Sequence, residues 1–257
     1  MAYLSKNIYS ITLKELLFQP YIQILCYPKP TIEEAENRIK ELQNLNVFKI
    51  EFFGKKEVSG LKILGKGCVG IVVKAYFNNK PAALKIRRVD ANRDSLIYEA
   101  FMLKKVNEHG IGPKLYNYTK NFLLMEFING QSIVEWIKQL TNKEKLKKVL
   151  IKILEDCFKL DEIGLDHGEL SRANKHILIN NSDTPIIIDF ETASEKRYAS
   201  NITKICNFLF FKSEIALKIN EILNVSLSDL HNALKIYKKN KTRENFEKIL
   251  KLCNLKA

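Results

Sequence analysis

Three closely spaced glycines are the first residues of the chain whose spacing could serve chemistry. Gly65, Gly67 and Gly70 lie in the run GKGCVGIV, which with Val72 fits the pattern G-x-G-x-x-G-x-V. Strand-like segments flank this run on both sides, whereas a dinucleotide fingerprint or a P-loop leads into a helix. A glycine-rich turn between two strands lets backbone N–H groups approach nucleotide phosphates. Taken alone, the run is also compatible with an ordinary glycine-rich hairpin.

A lysine inside an apolar segment is the second such feature. Lys85 lies in PAALKIRR, thirteen residues after Val72. A buried ammonium group needs compensating partners. A phosphate would supply one partner, and Glu99 on the following helix would supply the other. Taken alone, Lys85 could instead lie on an edge strand and point to solvent.

The elements that would position these residues change from strands to helices along the chain. The runs LKIL, IVVKAYF and PAALKIRR predict an antiparallel meander. Further predicted elements are a helix over 93–108, a buried strand over 121–127, helices over 131–140 and 142–163, a two-stranded element around 180–183, and three or four helices after residue 199. Residues 1–58 stand apart, with a joint at Pro28 and Pro30, a helix that Thr31 caps, and a strand or hairpin at 48–58. The order predicts a small sheet lobe, a connector and a helical lobe.

A third group of residues lies in the helical half of the chain. His167-Gly168-Glu169 is followed by Asn174, and Asp189-Phe190-Glu191 begins fifteen residues later. These spacings resemble the H-x-D-x-x-x-x-N catalytic loop and the D-F-G motif of the protein-kinase superfamily. With the glycine run, Lys85 and Glu99, five signals occur in the order that this superfamily shows.

Longer runs resemble a narrower group of kinases. The loop HGELSRAN resembles the H-G-D-L-x-x-x-N loop of the atypical branch, which includes the RIO kinases and the minimal kinase of the tRNA threonylcarbamoylation machinery. The runs GKGCVGIVVKA, ALKIRRVDANR, LDHGELSRANKHILI and IDFETAS resemble a family of predicted archaeal serine/threonine protein kinases. This resemblance covers most of the chain.

The resemblance agrees with the two-lobe order read from periodicity. It implies an α+β, two-lobe protein-kinase-like fold, with a small antiparallel-sheet N-lobe and a helical C-lobe. The expected boundaries are an N-terminal extension at 1–58, helical and then strand, and a protein-kinase-like domain at 59–257, divided into an N-lobe at 59–127, a hinge at 128–130 and a C-lobe at 131–257.

The resemblance also implies ATP and Mg²⁺ as cofactors and gives roles to particular residues. Lys85 would bind the α- and β-phosphates, and Glu99 would orient Lys85. Asn174 and Asp189 would bind Mg²⁺, and Glu169 would orient the acceptor hydroxyl. The catalytic set is then Lys85, Glu169, Asn174 and Asp189. The nucleotide-binding set is Gly65, Lys66, Gly67, Cys68, Val69, Gly70, Val72, Ala83, Lys85 and Glu99, with Met125, Glu126, Phe127 and Ile128 as the hinge whose backbone holds adenine.

The chain departs from the kinase pattern at two acidic positions. Glu169 replaces the usual aspartate, and its extra methylene moves the carboxylate by about 1.5 Å; such a displacement predicts slow transfer unless the backbone compensates. Glu191 replaces the glycine of D-F-G. It could join the metal site, or it could be a surface acid that pairs with Arg197. No A-P-E sequence follows, and the stretch at 192–200 is too short for a long activation segment.

Composition limits the class of protein and its partners. The 257 residues include 42 Lys+Arg against 29 Asp+Glu, a net charge of +13 that favours an anionic partner or simply reflects solvated helix faces. No run approaches the roughly 18 apolar residues of a membrane span, so we expect a cytoplasmic protein without a membrane partner. The five cysteines are scattered, which argues against disulfides and zinc knuckles. The sequence also argues against a zinc site on His167, Glu169 and His176, because the H-E-x-x-H pattern and a cysteine pair are both missing.

Together these features predict MgATP-dependent phosphoryl transfer to a Ser or Thr hydroxyl. The expected acceptor is a protein, and the chain itself is one candidate. Two alternatives stay open. One is an ATP-binding scaffold or conformational ATPase that acts on an RNA, a ribosomal particle or a protein complex. The other is a small-molecule kinase, because antibiotic phosphotransferases share the two-lobe fold.

Overall fold

The chain folds into two units, each with its own set of elements. A computed structural model describes residues 9–256. The N-unit comprises the described residues up to Lys104 together with Lys114–Phe127, and the C-unit comprises Lys105–Pro113 and the described residues from Ile128 onward. The first eight residues of the predicted N-terminal extension and Ala257 lie outside the described residues.

The N-unit is built on an antiparallel sheet. Its elements are β1 (Tyr9–Thr12), a 3-10 segment (Leu13–Leu17), α1 (Ile22–Leu25), α2 (Ile32–Asn44), β2 (Val47–Phe52), β3 (Lys56–Val58), β4 (Leu61–Ile63), β5 (Gly65–Lys66), β6 (Gly70–Phe77), β7 (Lys80–Arg87), most of α3 (Ile97–Asn107), β8 (Leu115–Tyr118) and β9 (Phe122–Glu126). The strand order is β1-β2-β6-β7-β9-β8, with β5 paired to β6 and a separate β3–β4 hairpin. Two strands of the predicted meander, β6 and β7, pair in this sheet. The third, LKIL, is not part of it, because β4 pairs with β3 in the separate hairpin.

The N-terminal segment covers one face of this sheet. Successive side chains of a strand alternate between faces, and the apolar residues of one face, including Val73 and Leu84, share a buried cluster with Leu16, Leu25 and Leu42. Residues 9–58 thus contribute two strands and a core layer to the N-unit. The boundary predicted between 58 and 59 falls inside the β3–β4 hairpin and stays a prediction.

The opposite face of the same strands carries the candidate site residues. Val72 pairs with Lys85 across β6 and β7, and Ala83 pairs with Met125 across β7 and β9. Because paired residues point to the same side of a sheet, Val72, Ala83, Lys85 and Met125 share one face. These four residues lie outside the buried cluster that the N-terminal segment forms on the other face.

Helix α2 is attached to the sheet through a buried arginine. The helix begins where Thr31 accepts a hydrogen bond from the Glu34 backbone N–H at 3.3 Å, which confirms the predicted cap. Arg38, fully buried, donates to the Leu25 carbonyl at 2.7 Å and to the Arg87 carbonyl at 2.6 Å. Its Nε also donates to Glu34 at 2.7 Å. One side chain therefore joins α2, the end of α1 and the end of β7.

The C-unit is mainly helical. Its elements are β10 (Gly130–Ser132), α4 (Ile133–Gln139), α5 (Lys143–Glu162), a 3-10 segment (Leu170–Lys175), β11 (Ile177–Asn180), β12 (Pro185–Ile187), α6 (Asn201–Cys206), a π-helical turn (Asn207–Lys212), α7 (Ala216–Leu223), α8 (Leu227–Lys239) and α9 (Arg243–Leu252). The order β10-β11-β12 forms a small antiparallel sheet. A sheet-rich region followed by a helical region confirms the predicted α+β, protein-kinase-like fold class.

A buried polar network fixes the start of α6 in the C-unit. Asp161, near the end of α5, accepts hydrogen bonds from the Asn201 backbone N–H at 2.7 Å and from the Tyr237 hydroxyl at 3.1 Å. Asn201 in turn accepts from the His167 backbone N–H at 3.0 Å. The segment that begins at His167 is thereby tied to the helical core. Across residues 9–256, no helix combines the length and apolar character that crossing a membrane requires.

Candidate active site

The N-unit brings Lys85 and Glu99 together as the sequence predicts. Lys85 lies on β7 and is 6% exposed, and Glu99 lies in the first turn of α3 and is 4% exposed. The Lys85 ammonium is 2.9 Å from Glu99 Oε1 and 2.8 Å from Glu99 Oε2. A buried ammonium held by a carboxylate has a fixed position, and its remaining donors can bind an anion.

The glycine run forms the tight turn from β5 to β6. The Gly67 backbone N–H donates to the Gly70 carbonyl at 2.8 Å, and Lys66, Gly67 and Cys68 are exposed. Gly70 is the position where the absence of a side chain matters, because a Cβ there would lie 2.9 Å from the Ile86 carbonyl oxygen and 3.0 Å from Lys85 Cγ. The turn therefore packs directly against the lysine strand. Val69 is buried and Val72 is half-buried.

Tyr27 of the N-terminal segment and Arg88 after β7 contact this turn. The Tyr27 hydroxyl accepts a hydrogen bond from Lys66 Nζ at 2.6 Å. The Arg88 guanidinium lies over the Tyr27 ring, 5.0 Å from its centroid, and donates to the Gly67 carbonyl at 3.1 Å. The sequence indicated no partner for Tyr27, because its neighbours lie about 40 and 60 residues away along the chain.

The predicted hinge spans the end of β9 and the first residue of the C-unit. Met125 is half-buried, and Glu126 has an exposed side chain that accepts from the Lys114 backbone N–H at 3.1 Å. The Glu126 backbone N–H donates to the Lys114 carbonyl at 2.8 Å. Phe127 and Ile128 are half-buried. At Glu126, therefore, the backbone N–H is engaged within the N-unit.

In the C-unit, His167 is a buried scaffold for the loop that carries Glu169. Its Nε2 is 3.1 Å from the Ile188 carbonyl oxygen, and its ring packs edge-on against Phe190 at 5.0 Å. Desolvation, reinforced by the nearby His176, lowers the pKa of His167 to about 4, so the ring is neutral at neutral pH. Gly168 follows with φ +94°, and a Cβ there would lie 2.6 Å from Thr192 Oγ1. Glycine is therefore required directly before Glu169.

A histidine joins the two carboxylates expected to carry out chemistry. Nε2 of His176 is 3.4 Å from Glu169 Oε2, and its Nδ1 is 3.9 Å from Asp189 Oδ2. Asp189 adopts φ +68°, a left-handed conformation that is uncommon outside glycine and concentrates at functional sites. Asn174, the other predicted metal ligand, lies on the 3-10 segment with an exposed side chain. Sequence reasoning considered His176 with His167 and Glu169 in an excluded zinc site, but did not place it beside Asp189.

The acids and bases next to this group have other partners. Arg197, proposed to pair with Glu191, donates instead to Asp166 Oδ2 at 2.9 Å and to the Thr192 carbonyl. Although desolvation raises the pKa of Asp166, hydrogen bonds from Lys204 and Arg197 lower it overall. Residues 190–200 then lead directly into α6, which agrees with the short stretch expected in place of an activation segment.

Comparison with known proteins identifies the family. The family model for the RIO domain matches residues 73–205, about half of the chain. The chain belongs to the RIO domain family. This membership, with similarity to two archaeal kinase-like proteins, confirms the predicted RIO-like branch of the atypical protein kinases. The match runs from β6 to α6 and includes Lys85, Glu99, Glu169 and Asp189.

Individual relatives match this RIO-domain chain over different lengths. An uncharacterised protein of Methanocaldococcus jannaschii is 38% identical over 106 residues, 41% of this chain and 89% of that protein. The RIO-type serine/threonine-protein kinase Rio2 of the same organism is 26% identical over 168 residues, 65% of this chain and 52% of Rio2. The KEOPS complex subunit Bud32 of Pyrococcus abyssi is 32% identical over 105 residues, 40% of this chain and 45% of Bud32. The chain thus spans about half the length of the two named relatives.

Proposed function

We propose that this RIO-family chain is an ATP-dependent kinase that transfers a phosphoryl group to a serine or threonine hydroxyl. The buried ion pair between Lys85 and Glu99 carries the proposal. Burying these charges disfavours the fold unless their positions serve another purpose, and a fixed ammonium suits the phosphate oxygens of a nucleotide. The name of the Rio2 relative supports the choice of a serine or threonine acceptor.

The glycine turn supports nucleotide binding in the N-unit. Gly70 packs so closely against the lysine strand that a Cβ there would lie 3.0 Å from Lys85 Cγ, which keeps the turn beside Lys85. Exposed backbone at Lys66, Gly67 and Cys68 can donate N–H groups to phosphate oxygens. The face shared by Val72, Ala83 and Met125 offers an apolar surface for the adenine ring. ATP would supply the transferable phosphoryl group.

The oxygen donors of the C-unit are suited to binding a divalent cation. Carboxylate oxygens such as those of Asp189 suit Mg²⁺, which binds few protein ligands and completes its shell with water and phosphate. Asn174 offers an amide oxygen on an exposed side chain. The cation would neutralise charge on the phosphates, while Lys85 holds them in place.

Glu169 would orient the acceptor hydroxyl and take its proton. Gly168, directly before Glu169, has a positive φ that residues with a side chain rarely adopt. The backbone of the loop therefore reaches Glu169 along a different path from the one that such a residue would allow. A shift of this kind can offset the extra methylene of glutamate. The half-buried carboxylate also keeps access to solvent and to a substrate.

The short connection to α6 favours a folded protein acceptor, including a second copy of this chain, over an extended peptide. A peptide substrate needs a docking surface of the kind that a long activation segment provides. Residues 190–200 provide only a brief turn before α6 begins at Asn201. Autophosphorylation is therefore the first reaction to measure.

The test is transfer from γ-labelled ATP with Mg²⁺, for the protein alone and with a basic protein as generic acceptor. Asp189→Ala and Glu169→Ala should abolish labelling, and Lys85→Met should reduce it by at least about 100-fold. Two matched controls, Glu162→Ala and Lys80→Met, remove exposed groups of the same charge and should keep wild-type labelling.

Other outcomes would point to the alternative functions. Nucleotide binding without labelling above the level of Asp189→Ala contradicts a protein kinase. Phosphate release that RNA stimulates, with RNA binding that weakens steeply as salt rises, would indicate a conformational ATPase. Transfer only to a small acceptor would indicate a small-molecule kinase.

A further inference from the structure

His176 has a ring nitrogen that the fold leaves without a hydrogen bond. The side chain is 7% exposed, and within residues 9–256 its buried Nδ1 has no hydrogen-bond partner. Buried polar atoms are nearly always satisfied, so an exception calls for an explanation. A missing ligand is one such explanation, because imidazole is a common metal ligand.

The surroundings of Nδ1 match the dimensions of a metal site. Nδ1 is 3.9 Å from Asp189 Oδ2, which is too far for a direct hydrogen bond. The separation is shorter than two metal–ligand bonds of about 2.1 Å laid end to end. An ion between the two atoms would have a ligand–metal–ligand angle of about 135° at such bond lengths. Small side-chain rotations would reduce this angle.

The second nitrogen of the ring faces a carboxylate. Nε2 is 3.4 Å from Glu169 Oε2, and ligand atoms of Glu169, His176 and Asp189 all lie within 4.8 Å of one another. Metal-binding histidines typically donate their other N–H to a carboxylate, which fixes the tautomer and the ring orientation. In the tautomer with its proton on Nε2, the ring directs that N–H toward Glu169. Nδ1, which faces Asp189, then carries no proton, as a metal ligand must.

We propose that His176 Nδ1 and Asp189 bind a first-row transition-metal dication, with Mn²⁺ as the probe, and that His176 Nε2 holds Glu169 in position. A nitrogen ligand favours Mn²⁺, Co²⁺ or Zn²⁺ over Mg²⁺, which prefers oxygen ligands. The inference rests on the proposed function for the importance of Asp189 and Glu169. It adds His176 to the ligands and changes the expected metal preference.

The experiment titrates the full chain with Mn²⁺ in the absence of nucleotide, followed by electron paramagnetic resonance. Wild-type protein should bind one Mn²⁺, and a large excess of Mg²⁺ should displace it poorly. Electron spin echo modulation should show coupling to one imidazole ¹⁴N. Loss of a metal ligand should weaken Mn²⁺ binding at least about tenfold.

Two variants of His176 and one control test whether the coupled nitrogen belongs to His176. His176→Gln keeps a polar group near the Nε2 position and removes the Nδ1 ligand, so it should lose the ¹⁴N coupling and bind Mn²⁺ weakly. His176→Asn places an amide oxygen near the Nδ1 position; it should also lose the coupling, and its preference for Mn²⁺ over Mg²⁺ should shrink. His109→Gln changes an exposed histidine of the same unit and should behave as wild type.

The wild-type spectrum alone can overturn the inference, even if the His176 variants fail to fold. Bound Mn²⁺ without imidazole coupling, or Mn²⁺ that Mg²⁺ displaces at equal concentration, excludes His176 as a ligand. Persistence of the coupling in His176→Gln excludes it as well. Because the titration contains no nucleotide, phosphoryl transfer without this metal site refutes only the inference. An intact metal site without transfer refutes only the proposed function.

Discussion

Replacing Arg38 with methionine should destabilise the N-unit severely, although methionine is also a long, unbranched side chain. Arg38 is fully buried, and its NH1 group donates to two backbone carbonyls, those of Leu25 and Arg87, at 2.7 and 2.6 Å. Methionine replaces the aliphatic part of the side chain and donates no hydrogen bond. The two carbonyls would then lose their charged donor inside the protein.

The magnitude follows from these bonds. Hydrogen bonds to a charged group contribute about 1.5–3 kcal/mol each, so two give about 3–6 kcal/mol. Removing the buried charge itself offsets part of this cost. We expect the free energy of unfolding to fall by about 3–5 kcal/mol. Arg38→Lys keeps the charge but not the planar fork, and should lose roughly half as much.

Urea unfolding followed by far-ultraviolet circular dichroism measures the change. Lys40→Met, on the exposed side of the same helix, is the control and should stay within about 0.5 kcal/mol of wild type. A loss below about 1 kcal/mol for Arg38→Met would refute the reasoning, because the carbonyls would then find other donors or the arginine would contribute little. Nucleotide affinity should fall in parallel, since Arg87 ends the strand that carries Lys85.

Three further predictions concern the site. Gly70→Ala, whose Cβ would press on the Ile86 carbonyl and on Lys85, should cost about 1–3 kcal/mol of stability and weaken ATP binding, as calorimetry would show. Burial holds the pKa of His167 at about 4, below about 6.5 in the unfolded chain. Between these values only the unfolded chain binds the proton, so acidification from about pH 6.5 to 4 should remove roughly 3 kcal/mol of stability; an NMR titration with a midpoint near 6.5 would contradict this. Tyr27→Ala removes the ring and the hydroxyl that contact the glycine turn and should speed hydrogen exchange at residues 66–70, whereas Tyr27→Phe, which keeps the ring, should have a smaller effect.

Local patterns predicted most of the elements. The Thr31 cap and the apolar spacing after it correspond to α2, and the helix expected at 142–163 is α5, which Asn142 caps. The strand expected at 121–127 is β9. Caps, turns and periodicity depend on neighbouring residues, so one sequence contains the information.

These local patterns did not predict which strands pair when they lie far apart in the sequence. The run at 48–58 was expected to be a strand or a hairpin, but β2 pairs with β1 and β6, and β3 pairs with β4. The half-exposed strand β8, at the sheet edge, has the composition LYNY and gave no clear signal. Which strand lies beside which is decided by burial across the whole sheet, and periodicity along the chain does not contain it.

The part of the site that could be predicted is the pair in which a buried charge requires a partner of opposite charge. A lysine in an apolar strand demands an acid nearby, and Glu99 was the acid on the next helix. The position of His176 between Glu169 and Asp189 was not predictable, because it depends on a 3-10 segment and on the left-handed conformation of Asp189. Neither conformation follows from the residue types alone.

The layer that residues 9–58 form over the sheet has a consequence for how this domain can be exchanged or trimmed. A chain cut back to residues 73–205, the span of the RIO-domain match, would expose Val73 and Leu84 along a sheet that had also lost strands β1 and β2. An open apolar sheet face with a new unpaired edge is a site for aggregation. Chimaeras joined after residue 58 would lack this covering layer and should therefore be recovered as insoluble protein.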